Sequence, residues 1–86
     1  MSNAQSAVAT SVAAKEKAVL SAHIGSRIRS RRLSMGLSAD SLAQAIGVPV
    51  QMVDQFECGS ARIDPAQLFR LSEALGASIR YFFQRD

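Results

Sequence analysis

Residues 42–59 read LAQAIGVPVQMVDQFECG. Large apolar residues stand at Leu42, Ile46, Val53 and Phe56, the inner positions of two short helices. Ala43 is tiny where two steeply crossed helices must touch, and Gly47, four residues later, supplies the positive φ that ends the first of them. Val48 adds a fifth inward position in the turn. Pro49 suits the first turn of the second helix, where its missing N–H costs nothing. The spacing is that of a helix-turn-helix. These positions hold two helices together, so they fix a fold element before they say anything about activity.

The same stretch raises an electrostatic question. No Lys or Arg occurs between Arg32 and Arg62, and residues 37–59 carry Asp40, Asp54 and Glu57, a net −3. The basic charge lies just before it, where Arg27, Arg29, Arg31 and Arg32 give residues 23–36 a charge of +4 with no acid. Those arginines read either as a solvated helix face or as phosphate contacts. If the element enters a DNA groove, the grip on phosphate must come from the arginines on either side of it.

Composition narrows the class. With 86 residues, 48 % hydrophobic and 20 % charged, the chain is one small domain able to bury a core. One Cys excludes an internal disulfide, and one His beside that Cys excludes a metal cluster. No apolar run approaches the roughly 20 residues that span a bilayer, and the N-terminus lacks the basic start of a signal peptide. A cytoplasmic location is expected, with no membrane partner. There is no second His, no Gly-rich phosphate loop and no Cys with a plausible base, so no enzyme, cofactor or small-molecule substrate is expected.

Helix signals organise the rest. Gly36, Gly47, Gly59 and Gly76 each follow a helically periodic stretch. Ser38, Asp64-Pro65-Ala66-Gln67 and Ser78 read as helix starts, the second as a capping box. Five helices are expected near 22–35, 39–46, 50–57, 65–75 and 79–84, with no period-two segment for a strand. The expected core is Ile24, Ile28, Leu33, Leu37, Leu42, Ala43, Ile46, Val48, Val53, Phe56, Leu68, Leu71, Leu75, Ile79 and Phe82. His23 reads as a surface residue at a helix start, and Cys58 as a small exposed residue before Gly59. Residues 1–21 are Ala/Ser/Val/Thr-rich and uncharged before Lys15. Val8, Val12, Val19 and Leu20 are loosely helix-spaced, and the segment reads either as a flexible tail or, from Lys15 onward, as a backward extension of the first helix that offers an apolar stripe to a partner. The domain proper is 22–86.

From His23 to Phe83 the chain resembles the Cro/C1-type helix-turn-helix family, also called the xenobiotic response element family. The resemblance rests on IGSRIRSRR (24–32), GLSADSLAQAIGVP (36–49), VQMVDQFECGSARI (50–63) and LFRLSEALGASIRYFF (68–83). It implies an all-α, compact five-helix domain that binds DNA, usually as a dimer, to regulate transcription. Carried over by position, Val50, Gln51 and Gln55 match residues that touch base edges in the major groove. Ser38, Ser60 and Arg62 match phosphate contacts. Arg32 matches an arginine that pairs with Glu57, ties the first helix to the third and presents its guanidinium edge to phosphate. The chain departs from the family at Ala39, where many members have Gln, and at Gln55 and Cys58, where members often have Lys or Arg. Asp54 adds a negative charge on the helix that should face DNA.

The function expected is therefore a sequence-specific DNA-binding regulator, a repressor, acting as a homodimer on a pseudo-palindromic site of double-stranded DNA. Its recognition helices would stand about 34 Å apart. At the aromatic end, Phe82 is expected in the core, and Tyr81 and Phe83 on the dimer surface. The alternative is a protein-interaction module that keeps the fold and binds a regulator or a toxin through its acidic face.

Overall fold

Ser38, Asp64 and Ser78 each cap a helix: Ser38 accepts from the Ser41 amide, Ser78 from the Tyr81 amide, and Asp64 exchanges both bonds of a capping box with Gln67. The structure is a computed structural model that describes residues 3–84, with side chains from residue 15 onward. Its helices are α1 (Asn3–Ser34), α2 (Ala39–Ile46), α3 (Val50–Cys58), α4 (Pro65–Leu75) and α5 (Ile79–Phe83). No strand occurs among the described residues. The last four helices lie within about a residue of the bounds read from the sequence.

The first helix does not begin near residue 22. It runs from Asn3, so His23 lies within a helix rather than at the start of one. The N-terminal half carries little apolar periodicity to announce itself. Its alanines nonetheless favour helix, and no Gly or Pro interrupts it before Gly25. The side chains of Val8 and Val12 lie outside the described ones. Val19 and Leu20 are exposed.

The core gathers Ile24 and Ile28 of α1, Leu42, Ala43 and Ile46 of α2, Val53 and Phe56 of α3, Leu71 and Leu75 of α4, and Phe82 of α5. Leu37, Val48 and Leu68 pack against it half-buried. Two expected core residues are corrected: Leu33 is 55 % exposed and Ile79 is 40 % exposed. On α1 the inward stripe runs Ile24, Ile28, Arg32, so the arginine takes the buried place and Leu33, 100° further round, faces out. Ile79 lines an open groove with Phe83, one turn on, and leaves the core to Phe82.

α1 and α3 cross backbone to backbone. A Cβ on Gly25 would stand 2.2 Å from the Phe56 carbonyl oxygen and 2.7 Å from that of Glu57. A Cβ on Gly59 would stand 2.8 Å from the Cα of Ala22. Gly25 costs about 1 kcal/mol in helix propensity relative to Ala, and the close crossing is what requires it. This contact clamps the C-terminal end of α3 and leaves its outer face open.

Candidate nucleic-acid interface

The faces of α3 divide sharply. Val53 and Phe56 are buried, Val50, Met52 and Glu57 are half-buried, and Gln51, Asp54, Gln55 and Cys58 are exposed. The exposed four are spaced i, i+3, i+4, i+7, which makes one continuous stripe. Of the three residues expected at base edges, Gln51 and Gln55 stand on this stripe, while Val50 packs partly against the core.

The expected phosphate positions lie on α1, at the start of α2 and in the loop after α3. Ser38 and Ser60 are exposed, and each hydroxyl already has an internal partner: Ser38 Oγ accepts from the Ser41 amide at 3.0 Å, and Ser60 Oγ donates to the Gln55 carbonyl at 3.4 Å. The Ser60 amide also donates to that carbonyl, at 3.0 Å, which folds the loop after α3 back onto the helix. Arg62 is exposed on this loop.

Arg32 and Glu57 form a bidentate pair. Arg32 Nε donates to Glu57 Oε2 at 2.6 Å, Nη2 donates to Oε1 at 3.0 Å, and Nη1 donates to the Leu37 carbonyl at 2.9 Å. The two side chains retain 11 % and 5 % of their exposure. The Arg32 pKa is raised, first by the hydrogen bond to Glu57. Burial opposes the rise, and the charges of Glu57 and Asp54 add to it. The pair neutralises Glu57 and bolts α3 to α1. Three of the guanidinium's donors are engaged, and little of its edge is open to a phosphate.

Two other arginines of the basic segment, Arg27 and Arg31, also turn inward. Arg31 Nε donates to the Leu75 carbonyl at 2.8 Å and Nη2 to that of Gly76 at 3.2 Å, at the C-terminus of α4. Arg27 Nη2 donates to the Gln84 carbonyl at 3.0 Å, just past α5, and its guanidinium lies 4.7 Å from the Tyr81 ring centroid. His23 donates from Nε2 to the same Gln84 oxygen. Helix C-termini carry unsatisfied carbonyls and partial negative charge, so cations placed there stabilise. Arg27, Arg31 and Arg32 are thus fasteners rather than a surface patch, whereas Arg29 is exposed. Reading the segment by net charge misses this. The signal was present in the spacing: 24, 28, 31 and 32 share a helix face, which puts two arginines on the apolar stripe.

Tyr81 is half-buried under Arg27 and packs edge-on against Phe82 with ring centroids 5.3 Å apart. Phe83 is 44 % exposed. It borders a groove of about 480 Å³ whose walls include Leu20, Ile24, Ile63, Leu68 and Ile79, with Lys17 and Arg62 among its lining. Among the described residues no group of three His, Cys, Asp or Glu could hold a metal ion, and no helix is long and apolar enough to cross a membrane.

The model of the helix-turn-helix family HTH_3 matches residues 28–82, a span that includes α2, the turn at Gly47 and α3. The chain belongs to this Cro/C1-type helix-turn-helix family. It is 40 % identical over 62 residues to a transcriptional regulator in the ATPase CF(0) region of Rhodospirillum rubrum, covering 72 % of this chain and 57 % of the relative. It is 41 % identical over 63 residues to the HTH-type transcriptional regulator y4wC of Sinorhizobium fredii, covering 73 % of this chain and 44 % of that one. This HTH_3 chain therefore spans about half the length of the curated relatives it matches. Among solved structures it is similar to the restriction-modification controller protein C.AhdI from Aeromonas hydrophila, with TM-score 0.69 and 29 % identity, covering 72 % of this chain and 94 % of the controller. It is also similar to an HTH_3 family regulator from Vibrio cholerae, with TM-score 0.72 and 33 % identity, covering 78 % and 38 % of the two chains. The HTH_3 domain is a DNA-binding domain of transcription regulators, not an enzyme fold.

Proposed function

We propose that this HTH_3 chain acts in the cytoplasm as a homodimeric repressor on a pseudo-palindromic operator. The observation that carries the reading is the stripe on α3: Gln51 and Gln55 stand out from a helix whose acid Glu57 is already neutralised by Arg32. A glutamine amide both donates and accepts, the pattern that matches adenine N7 and N6 in the major groove. Val50, at the start of α3, reaches a thymine methyl with its exposed side. Ser38 presents the N-terminus of α2 to a phosphate, and Ser60 and Arg62 place the following loop on the backbone. Arg32 acts by holding α3 in place rather than by touching phosphate. Repression needs nothing beyond occupancy of the site.

The homodimer reading draws on the exposed apolar residues around the groove. Phe83, Ile79 and Leu20 form an apolar surface unusual for an isolated small domain. Phe83 carries it more than Tyr81, which Arg27 and Phe82 already cover.

Fluorescence anisotropy with double-stranded DNA at several salt concentrations tests the reading. DNA binding predicts a log–log slope of about −2 or steeper. A flat response at low salt from a folded protein would sink it. That outcome would favour the second reading, in which α3 docks on a protein partner, a regulator or a toxin. The exposed Asp40 and Asp54, with no base on α2 or α3, are what favour that reading.

A further inference from the structure

The stripe that carries the two glutamines also carries a carboxylate. Asp54 follows Gln51 by three residues, precedes Gln55 by one, and is exposed as they are. A base-pair edge that meets both glutamines therefore meets Asp54 too. The other acid of α3, Glu57, is buried against Arg32, whose fork is committed to Glu57 and to the Leu37 carbonyl. Arg32 thus lends Asp54 a nearby positive charge without bonding it. An ionised carboxylate offers acceptors and no donor.

We propose that Asp54 selects a cytosine in the DNA site by accepting a hydrogen bond from its exocyclic N4 amine; the inference rests on the DNA-binding reading above. Phosphates, guanine O6 and N7, and thymine O4 all present negative charge or lone pairs and repel a carboxylate. In the major groove only adenine N6 and cytosine N4 donate. Adenine sets the N7 acceptor beside its donor, a pair that suits an amide but opposes the second carboxylate oxygen. The cytosine amine has no acceptor beside it on its own base. The stripe thus holds two residues that fit adenine and, between them, one that fits cytosine. Selection works by penalty as well as by gain, because a carboxylate stripped of water and given no donor destabilises the complex. An acid on the reading face lowers affinity for DNA in general and raises discrimination among sequences.

Selection of bound sites from a random double-stranded DNA pool, followed by anisotropy on the recovered sites, tests this with the full chain and with Asp54→Asn and Asp54→Ala. Both substitutions lie at an exposed position, and circular dichroism confirms their folding. The wild type is expected to recover a fixed C·G pair beside adenines, and exchanging that pair for A·T weakens it by about fivefold to a hundredfold. Asn, which donates and accepts, moves the preference at that one position to adenine. Ala loses the preference there and keeps the positions set by Gln51 and Gln55. The proposal is overturned if both variants bind every sequence more tightly by one common factor with all preferences unchanged, because Asp54 would then only repel. If the wild type and both variants bind no DNA even at low salt, the DNA reading itself falls and takes this role with it. The two failures are distinguishable, since only the first leaves a recovered site.

Discussion

Arg32 grips both carboxylate oxygens of Glu57, at 2.6 and 3.0 Å, across the seam between α1 and α3. The grip is nearly dry, with 5 % of the Glu57 side chain exposed. Removing either partner leaves the other charge buried and unpaired. Arg32→Ala and Glu57→Ala should each destabilise the fold by about 3–5 kcal/mol, a large part of the roughly 5–15 kcal/mol available to a domain of this size. The double variant Arg32→Met/Glu57→Leu should lose less than either single one. Urea unfolding monitored by circular dichroism gives all three values. The raised Arg32 pKa fixes the sign of that group's own pH effect. Its contribution is present throughout the neutral range and is lost only as pH climbs through the folded value at the alkaline extreme.

Two glycines separate steric need from backbone need. Gly25→Ala gains helix propensity yet places a methyl 2.2 Å from a carbonyl oxygen, so α1 and α3 must part. A loss of about 3 kcal/mol or more is expected. Gly47→Ala meets nothing within 4 Å, and only its φ of +74° resists a side chain. It should cost about 1–2 kcal/mol. A larger loss at Gly47 than at Gly25 in urea titrations would contradict the crossing.

On DNA, Gln51→Ala should relax preference at one base position while largely keeping affinity for unrelated sequences. Arg62→Ala should weaken all sequences alike and reduce the salt slope by about 1. Anisotropy on matched and scrambled sites at several salt concentrations distinguishes the two.

Arg31→Ala should lower stability by about 1.5–3 kcal/mol, the range for a hydrogen bond to a charged group, because it frees the Leu75 and Gly76 carbonyls at the end of α4. It should leave the DNA salt slope unchanged. A loss of slope with no loss of stability would return Arg31 to the phosphate-facing surface.

Phe83→Glu should shift the sedimentation coefficient toward that of a monomer while preserving the helical spectrum, because Phe82, not Phe83, fills the core.

The helix-turn-helix was legible because its requirements are local. Ala43, Gly47 and the apolar positions of α2 and α3 are set by contacts within 18 consecutive residues, and caps such as Asp64 with Gln67 act over three. What escaped depends on partners far along the chain. Leu33 reads as core if arginine is assumed to be exposed, although the pairing of Arg32 with Glu57, which the family resemblance implied, places the arginine on the inward stripe instead. Gly25 looks like a helix defect until the end of α3 is laid across it. Gln51, Asp54 and Gln55 were legible as positions on a helix, but that they form one outward stripe follows from which of their neighbours α1 and α2 bury.

Arg27 and Arg31 hold main-chain carbonyls, and substitution does not delete a carbonyl. Residue 84, exposed just past α5, can therefore change side chain without releasing Arg27, provided the backbone keeps its path, whereas Leu75 is held by the core and Gly76 by its φ of +58°. Glu57 has no such latitude, because its bond to Arg32 is made by the side chain itself. The scaffold should accordingly drift at residue 84, past α5, and on α3 it should resist change at Glu57 as it does at the buried Val53 and Phe56, although Glu57 is no part of the apolar core.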